Sequence, residues 1–187
     1  MCYLCSVINN KKVTTMEKIK VTQDTLYEYM QAHDIKLTRL AELIGRAPEV
    51  VMSCFKHHNN WHGNARSFNA EHVALINEAL PRLAAELRAR VLSFGSPQVH
   101  ERRGKKYDPA LVEPMKDLGR YVNITALTNR LLGWSYGKKC AILSRPHGKV
   151  FGNITEQDVV EINNEILAVA GVLGSYELTI NTDTNKE

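Results

Sequence analysis

The side chains best suited to act on a partner fall into two sets along the sequence. Thr38, Arg46, Glu49, Ser53, Lys56, His57 and Arg66 form the first; Tyr136, Lys138, Lys139, Arg145 and Lys149 form the second, which is the more cationic. Cations on a short helix and the loop beyond it can contact phosphate oxygens, and short polar groups such as Ser53 can hydrogen-bond to base edges. This is the chemistry of binding. The chain has no paired carboxylates, no glycine-rich phosphate loop after a strand and no nucleophile elbow, so it is not expected to be an enzyme.

Metal ligation is the other chemistry to weigh. Cys2 and Cys5 make a lone C-x-x-C without the second pair that a four-coordinate zinc needs. Cys54, His57, His58 and His62 are closely spaced, but Cys54 belongs to the apolar face of its helix. Neither group is read as a metal site, and no cofactor is expected. Trp61 and Trp134 are read as lids over the core.

Helices must position these residues. Leu37 to Gly45 and Val50 to Phe55 read as two short apolar-patterned helices joined by a glycine turn, the pattern of a helix-turn-helix. It recurs in Ile124 to Gly133 followed by Lys138 to Leu143. Each copy leads to a further helix with one pattern, Val73, Ile76, Asn77 and Leu80 against Val159, Ile162, Asn163 and Ile166. A self-similarity at a separation of about 87 residues marks a duplicated unit and is too long for a solenoid. The second copy carries a residue more between its first two helices, which leaves the register around Tyr136, Lys138 and Lys139 open, and Gly137 weakens the helix there.

The expected architecture is all-α, with two tandem small helical bundles. Residues 1–21 are a disordered N-terminal extension, Met16 reading as a natural start within it. Residues 22–95 form the first helix-turn-helix domain, 96–107 a basic linker, 108–175 the second domain and 176–187 a tail. Thr22, Thr38 and Asn69 are cap candidates, Pro48 suits a first helical turn, and Pro81 is expected to break its helix or start a new one. Pro114 can interrupt the helix after Asp108. The segment Ser175 to Ile180 alternates polar and apolar, but one short strand without a partner reads as a tail.

A net charge of +4 and a pI near 8.9 permit a nucleic-acid partner without requiring one. Acidic residues gather after Gly152, leaving both turn-loop regions basic. With no apolar run near the roughly 20 residues of a membrane span and no signal-peptide pattern, a cytoplasmic location without membrane contact is expected.

On Leu37, Thr38, Leu40 to Gly45, Val51, Phe55 and the Val73, Ile76, Leu80 helix, the first half resembles the lambda-repressor-like, or Cro/C1-type, helix-turn-helix family. The resemblance implies a bundle of five short helices and a role in transcriptional or mobile-element regulation. It also implies phosphate contacts at Thr38 and Lys56 and base reading at Glu49 and Ser53. The expected partner is double-stranded DNA, bound by a monomer with two reading domains in preference to a homodimer. The alternatives are a protein-protein adaptor that keeps the fold and an RNA binder.

Overall fold

The computed structural model describes residues 17–55, 68–94, 98–99, 106–107, 109–133 and 155–179, which are mostly helical. In the first half β1 (Ile19–Val21) leads into α1 (Gln23–Ala32), α2 (Leu37–Leu43), α3 (Pro48–Phe55) and α4 (Ala70–Arg88). A short antiparallel ladder of β2 (Gln98–Val99) and β3 (Lys106–Tyr107) lies within the segment expected to be a linker. The second half follows with α5 (Pro109–Leu118), α6 (Ile124–Leu132), α7 (Glu156–Ser175) and β4 (Tyr176–Leu178).

Local chemistry sets most of these boundaries. The Thr22 hydroxyl accepts from the Thr25 N–H, and the Asn69 carbonyl oxygen accepts from the His72 N–H at 2.8 Å, so both residues cap as the sequence indicates. Thr155 and Asp158 form a reciprocal capping box at the start of α7. Gly45 and Gly133 stop α2 and α6 with φ of 65° and 59°, in the left-handed region where a Cβ is strained. The helix of the second copy, α6, has nine residues against seven in α2.

Several expectations are corrected. Thr38 is not a cap: α2 starts at Leu37 behind Lys36, and Thr38 sits exposed in its first turn. Pro81 neither breaks nor starts a helix, because α4 runs through it. Ile76, Ala79, Leu80, Leu83, Ala84 and Leu87 are all buried along that helix. Burying each large apolar side chain contributes roughly 1.5–3 kcal/mol, which together outweighs the ~3 kcal/mol cost of an interior proline. The helix ends at Arg88, short of Val91, which is exposed. Pro114 likewise lies inside α5 without ending it. Ile19–Val21, assigned to the disordered extension, pairs in parallel with Tyr176–Leu178, assigned to the tail.

The buried side chains of the two halves belong to one continuous core. Its axis is the antiparallel contact of α4 with α7, in which Gly174 lies against Ala84 and Arg88 donates to the Ala170 carbonyl at 3.1 Å. Two asparagines at equivalent positions of the repeat lock this contact. The Asn77 amide spans both backbone groups of Leu178, at 3.0 and 2.7 Å, and the Asn163 amide spans both of Leu92, at 2.8 and 2.7 Å. Replacing Asn163 with Ala strands the N–H and the carbonyl of buried Leu92, at about 1–3 kcal/mol for each group left unpaired. We expect Asn77→Ala and Asn163→Ala each to lower unfolding free energy by about 2–4 kcal/mol in urea titrations. A loss below ~0.5 kcal/mol in either would show that the clamps carry no stability.

Candidate nucleic-acid interface

The two halves meet where the turn before α2 crosses the turn before α6. Ile35 and Val122 form an isolated antiparallel bridge, in which the Lys36 N–H donates to the Tyr121 carbonyl at 2.8 Å and the Asn123 N–H to the Asp34 carbonyl at 2.7 Å. Ile35 and Val122 occupy equivalent places in the repeat, two residues before α2 and α6 begin. The bridge therefore lies on an approximate internal two-fold axis, and each half gives the other the bond that it receives.

A groove opens on either side of this bridge. One is lined by Asp34, Lys36 and Thr38 with Met52 of α3 from the first half, and Asn123 from the second. The other is lined by Lys116, Arg120, Asn123 and Thr125, with Lys36 crossing from the first half. Lys36 and Asn123 border both. Lys36 Nζ donates to the Gly119 carbonyl at the end of α5, and Asn123 caps α6 through the Ala126 N–H at 3.4 Å.

Polar clusters beside the axis hold these turns in place. On one side Arg39 of α2 donates to Glu86 of α4 at 2.8 and 3.2 Å, and to Glu42 at 2.6 Å. The guanidinium faces the Tyr121 ring at 5.0 Å, and Arg90, ion-paired with Asp117 at 2.9 Å, covers the ring at 3.9 Å. Burial raises the Tyr121 pKa, opposed by the two cations. On the other side Arg130 of α6 pairs with Asp34 at 3.2 Å and with Glu165 of α7 at 2.9 Å, and His33 Nδ1 lies 2.8 Å from Glu165. Tyr29 stands against His33 and Tyr176, and burial, followed by Tyr176 and Glu165, pushes its pKa up to about 12.

Of the residues singled out by sequence, Thr38, Arg46, Glu49 and Ser53 fall among those described. Glu49 and Ser53 are exposed on α3, on the face away from buried Val51, Cys54 and Phe55. The Ser53 hydroxyl rests on the Val50 carbonyl at 2.8 Å. Thr38 is exposed and borders the first groove together with Met52, which brings the start of α2 and the outer side of α3 to one surface. Arg46, half-buried just before α3, is tied to Glu71 of α4. Lys56, His57, Arg66, Tyr136, Lys138, Lys139, Arg145 and Lys149 lie outside the described residues. Among the described residues no His, Cys, Asp or Glu cluster could hold a metal ion, and no helix is long and apolar enough to cross a membrane.

No family model, curated protein or solved structure matches this chain.

Sequence reasoning missed Lys36 and Asn123, which immediately precede equivalent helices. It also missed Glu165, where three elements converge. Burial would raise the Glu165 pKa, but hydrogen bonds from His33 and Arg130 outweigh it and hold the carboxyl below the ordinary value of 4.5. Because the folded-state pKa is the lower one, this stabilisation is fully present above about 4.5. It is lost as pH falls through the folded-state value. The stability of Glu165→Gln should therefore decline less steeply than that of the parent across this acid range, with the two curves converging at low pH. Parallel urea-unfolding curves across that range would remove Glu165 from the acid response.

Proposed function

We propose that this chain binds double-stranded DNA in a sequence-specific manner and regulates transcription or a mobile element, using tandem helix-turn-helix units. The observation that carries this reading is the α2–α3 pair. Two short helices turn at a left-handed Gly45, and α3 buries Val51, Cys54 and Phe55 while leaving Glu49 and Ser53 exposed beside the exposed Thr38. In such a unit the first helix lies across the sugar-phosphate backbone and the second enters the major groove. Recurrence of the glycine-stopped helix at α6, with basic residues 138, 139, 145 and 149 following it, supports a second unit.

A protein-protein interaction module is the second reading. It is favoured by the carboxylate of Glu49 on the outer face of α3 and by the pairing of Arg46 with Glu71, which together reduce the positive charge offered to phosphates. Mobility shifts of the full chain with random duplex DNA at low salt separate the two, and folded RNA as competitor tests the RNA alternative.

Binding through Lys56, Arg66, Lys138, Lys139, Arg145 and Lys149 should weaken with salt by a log-log slope of roughly −0.9 for each phosphate contact. Lys149→Ala should flatten that slope by about one unit, and an unchanged slope would take Lys149 out of the interface. Ser53→Ala should change the ranking of bound sequences more than the overall affinity. Uniform weakening on every sequence would assign Ser53 to the backbone instead.

A further inference from the structure

We infer that the groove lined by Lys36, Lys116, Arg120 and Thr125 holds backbone phosphates of the same duplex that α3 engages. The inference rests on the DNA-binding reading and adds to it a second place where the sugar-phosphate strand is gripped. The charge of the groove carries it. Lys116 near the end of α5, Arg120 in the turn after it and Lys36 from the first half all line one groove of about 310 Å³. No carboxylate is among its described lining residues, whereas the first groove sets Asp34 beside Lys36.

These cations can turn to a phosphate at little cost. The Arg120 side chain is 79% exposed, and its contact with Asp117 is long, 3.9 Å, because that carboxylate is held by Arg90 at 2.9 Å. Lys116 meets Glu113 one turn earlier on α5, in a solvent-exposed pair of the kind that contributes little. Lys36 gives one of its three N–H donors to the Gly119 carbonyl.

A duplex is the occupant because the groove continues the surface of the α2–α3 pair. Lys36 and Asn123 border both grooves, and the first groove runs on to Thr38 and Met52, next to exposed Ser53. The first helix of a helix-turn-helix lies across the sugar-phosphate backbone. Lys36 immediately precedes that helix, so a strand passing over the start of α2 meets Lys36 and, beyond it, Lys116 and Arg120. Thr125 agrees with this path: it is the second residue of α6, as Thr38 is of α2, and each borders its own groove.

The test is titration of the full chain with one random-sequence duplex across a range of salt. Replacing Lys116 and Arg120 together with Ala should flatten the log-log slope by about 1.8 units, roughly 0.9 for each phosphate contact, and weaken all sequences alike. Glu113→Gln should tighten binding at low salt by releasing Lys116. Arg82→Ala, which removes an exposed cation of α4 outside both grooves, should leave the slope unchanged. An unaltered slope in the double variant would overturn the inference and leave DNA binding intact. So would an Arg82→Ala effect as large as that of Arg120→Ala, which would assign the change to net charge. Inorganic phosphate that raises the melting temperature of the parent but not of the double variant, with no change in slope, would assign the groove to a free anion instead. Failure of the parent to retain any duplex would overturn the DNA-binding reading, and this inference with it.

Discussion

The antiparallel contact of α4 with α7 is the constraint on which the other features depend, and its two asparagines make it specific. An apolar seam between long helices is tolerant of sliding, since Leu against Ile is worth much the same one turn along. A half-buried amide is less tolerant, because its carbonyl and its N–H must each find a partner or incur part of the cost of desolvation. Asn77 and Asn163 find theirs on the backbone of Leu178 and Leu92, just past the end of the opposing helix. Displacing α4 along α7 by one turn would leave all four of those bonds unmade. The same bonds anchor Leu178 in β4, and pairing of β4 with β1 then ties the start of the first half to the end of the second.

With the long helices in register, the turns before α2 and α6 are brought together, and the chemistry on the two sides of their bridge follows one plan with different residues. On each side the turn of one half meets an arginine from the second helix of the other half. A glutamate on the long helix of the arginine's own half holds that arginine. The sets are Tyr121, Arg39 and Glu86 on one side and Asp34, Arg130 and Glu165 on the other. These arginines are spent on architecture, with carboxylates in direct contact, and their cations offer little to a phosphate. Away from these clusters, Thr38 at the start of α2 and Glu49 and Ser53 on the outer side of α3 are exposed. Arg46, half-buried just before α3, is likewise held by a carboxylate, Glu71 of α4.

Much of the helical fold was legible because its signals are local. Caps at Thr22 and Asn69, the stop at Gly45 and the apolar stripes of α2, α3 and α4 follow from side chains within a few residues of one another. What failed depended on distant partners. Pro81 is a helix breaker by local rules, and only the burial of residues 76–87 overrides it. Tyr176–Leu178 reads as a tail until Ile19–Val21, at the far end of the chain, supplies its ladder. The relation between the halves was half visible. Asn77 and Asn163 recur at one position beside an otherwise apolar stripe, and a polar residue repeated in a half-buried register implies a repeated partner. The partner itself, a backbone segment beyond the other helix, has no sequence signature. At the candidate site the outward position of Glu49 and Ser53 followed from helical periodicity. Lys36 and Asn123 acquire meaning only once the two turns are seen to cross.

Joining both halves in one chain removes a restriction that a symmetric dimer must obey. In a dimer of identical chains every residue serves both sides of the axis, so a residue at the place of Arg39 would face the same turn twice. Here that place is Arg39 in the first half and Ala126 in the second, and the turn residues they approach, Tyr121 and Asp34, differ as well. The second half draws its arginine from a different position, Arg130, one helical turn further along α6 than Ala126, and reaches an acid with it. The backbone relation at the bridge survives these exchanges because it uses only N–H and carbonyl groups, which every residue but proline supplies. Symmetry is thus kept by the backbone and the two asparagines, and given up wherever side chains face each other across the axis or face outward. That division lets the side chains of the two halves diverge while their backbones keep one fixed relation.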